Sequence, residues 1–255
     1  MLGSLKSAPA WKWAAFGKHP VAGDYFNAGP DDPFFQAFSG WVENGYRQVC
    51  ADRKNATDLY SWRFWAKAHQ KDSLMFGVGR DSFDTIGRPY PLIIMGAGVL
   101  PDWQRHLPLL PFALEKTWIQ MEYLATKRYI DFSQLENDIR RLPAPAGQWS
   151  ELQKEARQRL DACQLIDDSR KEMIRQRVSD HAAEPEFLAP FDAAACLDAV
   201  TAAGIWHSAL TEQNGTAPNA TFLGGILNAT FLAVFRRPLM VSDFIRLWSV
   251  GTKMP

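Results

Sequence analysis

The sequence predicts a mixed α/β fold. Strand-like stretches alternate with stretches of helical periodicity along the chain. The 255 residues, of which 47% are hydrophobic, are enough to bury a sizeable core in one large domain. A pentapeptide near the C-terminus also recurs after two glycines, which is typical of a β-hairpin.

The N-terminal part predicts a strand, a loop and a helix. Trp11 to Phe16 is rich in aromatic residues and favours a strand. Asp32 can cap a helix, and Pro33 suits its first position. Apolar residues near helical spacing then indicate a core-facing stripe, although such a stripe could instead line a cofactor site: Phe34, Phe35, Phe38, Trp41, Val42 and Val49.

Three further strands are predicted in the next forty residues. The segments 59–66, 73–78 and 92–100 are aromatic or apolar and are bounded by loop residues. Pro89 and Pro91 lack the N–H that a strand ladder requires, so regular pairing is expected to begin after Pro91.

The middle of the chain, from 102 to about 186, has a helical and highly charged composition. Residues 107–127 predict a long helix, and Ser133 and Ser150 each begin a capping-box pattern. The mixed charges from Glu151 to Arg177 are typical of a solvated helical face. A partner-binding hairpin is the alternative for this segment.

The C-terminal part predicts two strand regions and a last helix. Residues 204–210 favour a strand. Residues 219–223 with 228–232 favour a hairpin, or a bend followed by an edge strand. Residues 238–250 predict a short amphipathic helix capped by Ser242.

Composition and motifs exclude several classes of function. The 28 basic and 28 acidic residues cancel, so no electrostatic case exists for nucleic acid or an anionic membrane. The N-terminus lacks the apolar core of a signal peptide, which predicts a cytoplasmic protein without membrane insertion. No phosphate-binding loop, nucleophile elbow or metal-spaced cluster is found, so we expect no enzyme activity, cofactor or metal site.

The three cysteines lie far apart in the sequence and form no CxxC pair. They are Cys50, Cys163 and Cys196. Buried free thiols in a reducing compartment are expected, with a redox or metal role as the alternative.

Two loops carry charged residues between glycines and prolines. The first, 16–26, holds Lys18 and Asp24, and the second, 79–92, holds Asp84 and Arg88. If the loops meet, an Asp24–Arg88 ion pair is the natural clasp, because arginine can hold a carboxylate through two hydrogen bonds. Loss of Asp24 would then destabilise the fold strongly only if the pair is buried. The four charges serve either as a structural fastener or as a partner-contact surface.

These loops resemble the motifs of the TagF family, also called ImpM. The first loop matches G-K-x-P-x-x-G-D-F through Gly17, Lys18, Pro20, Gly23, Asp24 and Tyr25. The second matches S-x-D-x-x-G-R-x-F/Y-P-L through Ser82, Asp84, Gly87, Arg88, Tyr90, Pro91 and Leu92. Thr85 and His19 depart from the family pattern, which commonly has arginine and leucine there.

The resemblance implies a three-layer α-β-α sandwich around a mixed, largely antiparallel sheet. It implies one domain over 1–255, to which we add a helical insertion or subdomain at about 102–188. It also implies a non-enzymatic accessory protein of bacterial type VI secretion that represses the apparatus post-translationally. The implied partner is a forkhead-associated scaffold or another cytoplasmic component of that system. A small-ligand sensor or hydrolase using a cleft between loops 17–26 and 81–91 is the alternative.

Overall fold

The computed structural model describes residues 11–52, 59–68, 70–162, 168–191 and 198–251. Across these ranges, eight strands form one sheet: β1 (Lys12–Gly17), β2 (Phe26–Ala28), β3 (Ser61–Lys67), β4 (Ser73–Arg80), β5 (Leu92–Val99), β6 (Glu186–Pro190), β7 (Ala220–Ile226) and β8 (Ala229–Phe235). Their order is β2-β1-β5-β4-β3-β7-β8-β6. Every neighbouring pair is antiparallel, so the prediction of a mixed α/β fold with a largely antiparallel sheet is confirmed.

Helices cover both faces of this sheet. Seven are found in the same ranges: α1 (Pro33–Asp52), α2 (Leu110–Thr126), α3 (Phe132–Arg140), α4 (Trp149–Ala162), α5 (Asp168–Asp180), α6 (Ala199–Asn214) and α7 (Val241–Leu247). A short 3₁₀ turn, Leu107–Leu109, precedes α2. Among these residues, no helix combines the length and apolar character needed to cross a bilayer.

Side chains alternate in direction along each strand, so the buried ones form two separate cores, one on each face of the sheet. Phe64 and Met75 pack with α1 and α7 on one face, whereas Trp65 and Phe76 pack with α2 on the other. Successive strand residues point to opposite faces, so a strand covered on both sides must be apolar at nearly every position. β4 and β5 meet this requirement and lie in the middle of the sheet.

The predicted strand over 204–210 is wrong, because these residues lie inside α6. The Asp198 carboxylate caps this helix by accepting hydrogen bonds from the N–H groups of Val200 and Thr201. Trp206 and Leu210 are buried one helical turn apart. Gly204 permits a close approach, since a Cβ there would lie 2.9 Å from the Pro108 carbonyl oxygen.

Three predicted helix caps are also wrong. At two of these helix starts, a nearby aspartate accepts a backbone hydrogen bond instead of the predicted serine. Asp131 caps α3 through the Gln134 N–H, so Ser133 lies inside the first turn. Ser150 likewise lies within α4, which begins at Trp149. α7 begins after Met240, whose N–H donates to the Asp243 carboxylate, so Ser242 is not its cap.

The other predicted elements agree with the structure. The repeated pentapeptide forms the β7–β8 hairpin, and Asp32 accepts a hydrogen bond from the Phe34 N–H at the start of α1. Cys50 is an exposed free thiol rather than a buried one, because its neighbour Val49 takes the inward position on α1. Cys163 and Cys196 lie outside the described residues.

Candidate functional site

Asp84 lies at the centre of the two loops and is fully buried. Its Oδ1 accepts hydrogen bonds from the backbone N–H groups of Ile86 (3.1 Å) and Arg88 (2.9 Å). These bonds fold loop 81–91 into a compact turn, a role for which aspartate is well suited. Asp84 is therefore the residue that shapes the second loop.

Two cations compensate the buried Asp84 carboxylate. Lys18 Nζ lies 3.0 Å from Asp84 Oδ2, and Arg88 Nε donates to the same oxygen at 2.7 Å. Burial alone raises the pKa of Asp84, but hydrogen bonds from Lys18 and Arg88 outweigh it and hold that pKa well below its usual range. The carboxylate thus stays ionised while it fastens both loops together.

Backbone contacts join the loops directly. The Thr85 N–H donates to the Ala22 carbonyl at 3.1 Å, and Arg88 Nη2 donates to the Gly23 carbonyl at 3.0 Å. Gly17 has a φ of 119°, and a Cβ there would lie 1.9 Å from the Pro91 carbonyl oxygen. Only glycine allows this close approach between the ends of β1 and of loop 81–91.

The predicted Asp24–Arg88 pair forms, but it is exposed. Arg88 Nη2 lies 3.1 Å from Asp24 Oδ2, and the two side chains are 47% and 66% exposed. Asp24 also accepts a hydrogen bond from the Tyr25 N–H, which, with Arg88, lowers the pKa of Asp24. The clasp is therefore Lys18–Asp84–Arg88, in which Asp84 and Lys18 are buried and Arg88 is half-exposed, and Asp24 extends it at the surface.

We expect Asp24→Ala to leave the stability of the protein nearly unchanged. The pair is solvent-exposed, and Arg88 keeps Asp84 as its partner, so no buried charge is left uncompensated. Thermal unfolding should give a melting temperature within about 2 °C of the wild-type value. A fall as large as that caused by loss of a buried ion pair would contradict this assignment.

His19 is a structural residue of the first loop. Its ring is buried, and Nδ1 accepts a hydrogen bond from the Val21 N–H at 3.2 Å. Burial lowers the pKa of His19, and a hydrogen bond to the Leu124 backbone at the end of α2 only partly offsets this effect. The imidazole is therefore held neutral, with its Nδ1 fixed by the loop backbone.

Tyr25 and Tyr90 connect the two loops to α1 through their rings. Their centroids lie 5.3 Å apart in an edge-to-face arrangement, and the Tyr46 ring of α1 lies 4.8 Å from Tyr90. The Tyr25 hydroxyl lies 3.2 Å from Ser39 Oγ, also on α1. Edge-to-face contacts of this kind favour one fixed arrangement of the rings.

The remaining motif residues have backbone roles. The Ser82 carbonyl accepts a hydrogen bond from the Tyr90 N–H, and Gly87 has a φ of 83°, which suits glycine. Pro20 is exposed, and a Cβ at Gly23 would contact no atom within 4 Å. Gly23 therefore contributes its carbonyl oxygen rather than its lack of a side chain.

Asp81 is a third aspartate of this region that the motif search does not single out. Its carboxylate accepts hydrogen bonds from the Tyr60 N–H at 3.0 Å and from Trp248 Nε1 at 2.8 Å. It thereby joins β3 to the chain segment after α7. Its position directly after β4 is the feature of the sequence that could have marked it as a candidate. Its hydrogen-bond partners lie far away in the chain, so its role is not visible in the local sequence.

A cleft of about 570 Å³ lies beside the loops rather than between them. One wall is formed by 19–21 and 81–83, and the other by the end of α2 and the residues that follow it. Arg80, Lys127, Arg128 and one acidic residue, Asp81, line the cleft, and Lys127 is paired with Asp138 at 2.7 Å. Within the described residues, no group of three His, Cys, Asp or Glu side chains could hold a metal ion.

Both loops lie within a region that matches a known family. The family model for the TagF N-terminal domain, which is type VI secretion system-associated, matches residues 14–142. The chain belongs to this family. The match contains the Lys18–Asp84–Arg88 clasp, so the recognition based on the two loop motifs is confirmed.

A solved structure supports the fold over nearly the whole chain. The TagF-family chain described here is similar to the crystal structure of PA0076 from Pseudomonas aeruginosa PAO1, with a TM-score of 0.54 and 17% sequence identity. The alignment covers 95% of this chain and 97% of the other. Among curated protein sequences, no match is found.

Proposed function

We propose that this chain is a non-enzymatic accessory protein of bacterial type VI secretion. It acts in the cytoplasm as a post-translational repressor of apparatus assembly or activity, through contacts with a forkhead-associated scaffold or another component of the system. The family assignment supports the association with type VI secretion. The geometry of the two loops supports a role in binding rather than in catalysis.

The observation that carries this proposal is a set of exposed apolar side chains on rigid loops. Phe83, Ile86 and Tyr25 are 51%, 73% and 42% exposed, although large apolar side chains are costly to leave in water. The buried Asp84 clasp fixes the loops that carry them, so little conformational entropy is lost on binding. We call these three residues the loop-tip surface and assign the partner contact to it.

The polar groups of the same loops support the absence of catalysis. Lys18, Asp84 and Arg88 compensate one another, and His19 Nδ1 accepts a hydrogen bond from the Val21 N–H. A general base must be free to accept a proton from a substrate or a nucleophile. These residues instead have the arrangement of a structural fastener.

We expect the double variant Phe83→Ser with Ile86→Ser to lose repression while remaining folded. Both side chains are exposed, so their truncation removes contact area from the partner interface but little from the core. Co-purification with the forkhead-associated protein should weaken at least about tenfold, and secretion through the apparatus should rise in cells that produce the variant.

Leu227→Ser is the matched control for this experiment. Leu227 is 96% exposed and lies in the β7–β8 turn, outside the loop-tip surface. The control should repress like the wild type. A folded Phe83/Ile86 variant that also represses like the wild type would refute the loop-tip surface as the contact site. Failure of the wild-type chain itself to repress would refute the proposed function.

One observation favours a second candidate, a sensor of a small anionic ligand. The cleft beside the loops is lined by Arg80, Lys127 and Arg128, and Lys127 also lies 4.7 Å from the centre of the Tyr129 ring. Cations beside an aromatic ring suit a ligand with an acidic group and a flat body. Repression that needs such a ligand, and that is lost in Arg80→Met but kept in the single variant Ile86→Ser, which lies outside the cleft, would favour this candidate.

A further inference from the structure

A second cavity lies away from the loop-tip surface, at the end of β3. It has a volume of about 150 Å³ and is lined by the α6–β7 connection, by Lys67 at the end of β3 and by Arg236 just after β8. At liquid density this volume holds about five water molecules, which is room for a small hydrated anion.

The two cations of this cavity lack the acidic partners that other part-buried cations of the protein have. Arg63 donates two hydrogen bonds to Glu122, and Arg237 donates two to Asp243. In the described part of the chain, neither Lys67 nor Arg236 has a carboxylate oxygen within 4.0 Å. Two positive charges therefore face one small cavity without direct compensation.

The direct contacts of the Arg236 guanidinium among the described residues are with neutral groups. Its Nη1 donates to the backbone carbonyls of His181 and Glu184, and the guanidinium lies 5.4 Å from the centre of the Phe187 ring. Its Nη2 is buried and has no hydrogen-bond partner among the described residues. An unsatisfied buried donor of this kind is costly unless a ligand or water fills it.

Among the described residues, the Lys67 ammonium has one hydrogen-bond partner, the carbonyl oxygen of Ala217. A purely structural role is the alternative for this contact, because α6 ends nearby and the C-terminal end of a helix attracts cations. One neutral carbonyl does not balance a full ammonium charge, however. Burial lowers the pKa of both Lys67 and Arg236, and the charge of Glu184 offsets this only partly for Arg236.

We propose that Lys67 and Arg236 bind a phosphate group in this cavity. A phosphate dianion matches the two positive charges, and its oxygens can accept hydrogen bonds from both side chains. Thr216 and Asn219 line the same cavity and add a hydroxyl and an amide as neutral donors. The phosphate is either free or part of a phosphate monoester, and both present the same anionic oxygens to the site.

Lys67→Met is the principal test of this site. Methionine keeps an unbranched apolar stem but removes the buried charge, so the variant should fold at least as stably as the wild type. With the full chain, inorganic phosphate should raise the melting temperature by several degrees relative to chloride at equal ionic strength. In Lys67→Met the dissociation constant for phosphate, followed by ³¹P NMR, should increase at least about tenfold.

Two further variants separate the site from general charge effects. Lys154→Met removes an exposed lysine of α4 and should bind phosphate like the wild type. Thr216→Val removes an exposed hydroxyl that lines the cavity and should weaken phosphate binding severalfold with the fold intact.

Comparison of ligands identifies the anion. Tighter binding of phenyl phosphate than of inorganic phosphate assigns the site to a phosphorylated molecule, and equal or weaker binding assigns it to free phosphate. An equal rise in melting temperature with acetate at the same ionic strength would overturn the assignment to a dianion. No phosphate-dependent shift in the wild type, or the same shift in folded Lys67→Met, would overturn the site itself.

Discussion

Asp84→Ala should lower the melting temperature by about 10 °C, the largest effect that we expect from a single substitution in the loop motifs. The variant leaves Lys18, which is only 9% exposed, without its buried partner. It also removes the acceptor for the N–H groups of Ile86 and Arg88, which shape loop 81–91. Differential scanning calorimetry at neutral pH measures this loss.

Asp24→Ala is the matched control for Asp84, because it makes the same chemical change in the same charged network but at an exposed position. Lys18→Met added to Asp84→Ala should recover part of the lost stability, since it removes the unpaired buried charge. Equal melting temperatures for Asp84→Ala and Asp24→Ala would refute the buried clasp.

The free energy of unfolding should fall by about 2 kcal/mol between pH 7 and pH 5 because of His207 alone. This side chain is buried beside Trp65, and burial lowers the pKa of His207 to about 4, while a contact with the Leu107 backbone offsets little. Neither ring nitrogen has a partner with hydrogen-bond geometry among the described residues. The folded protein therefore holds the neutral imidazole.

The sign of this pH dependence follows from the number of protons that His207 binds in the folded and in the unfolded state. Between about pH 4 and the unfolded value of about 6.5, the unfolded state binds the proton and the folded state does not. The stability that neutral His207 contributes is thus fully present above that range, and it is lost as the pH falls through it. Urea unfolding at a series of pH values measures the slope.

His207→Leu should remove the part of this slope that His207 contributes, because leucine carries no titrating group at the same buried position. The smaller contribution of His19, whose pKa is also lowered by burial, should remain. His106→Leu is the control: this histidine is half-buried, stacks on Trp149 and leaves His207 in place, so the slope should persist. A slope as steep as that of the wild type in folded His207→Leu would contradict the assignment. Protonation of Asp84 also lowers the free energy of unfolding, but only below about pH 4, because the pKa of this carboxyl is low in the folded state. The two effects therefore occur in different pH ranges.

The fold class and the two loop motifs could be predicted from the sequence alone. Strand and helix patterns depend on residues a few positions apart, so the strands around Trp62 and Ile93, the β7–β8 hairpin and the start of α1 were all predictable. Glycine, proline and aspartate mark loop conformation just as locally. For the same reason the motif search found Lys18, Asp84 and Arg88.

Local patterns were insufficient where a distant contact decides the outcome. The segment 204–210 is apolar enough for a strand, yet Asp198 upstream begins a helix there and α6 packs closely on the 3₁₀ turn. The sequence also suggested Asp24 as the partner of Arg88, because nothing local distinguishes an exposed aspartate from a buried one.

The sequence by itself determined the mixed α/β class, the family and the residues of the loop motifs, since each is encoded within short stretches of chain. Only the tertiary structure decided that Asp84 is the buried centre of the clasp and that Lys67 and Arg236 share one cavity. The physical reason is that burial and charge compensation depend on which distant segments the sheet brings together. The energy of a charged side chain is set by those neighbours rather than by its own sequence context.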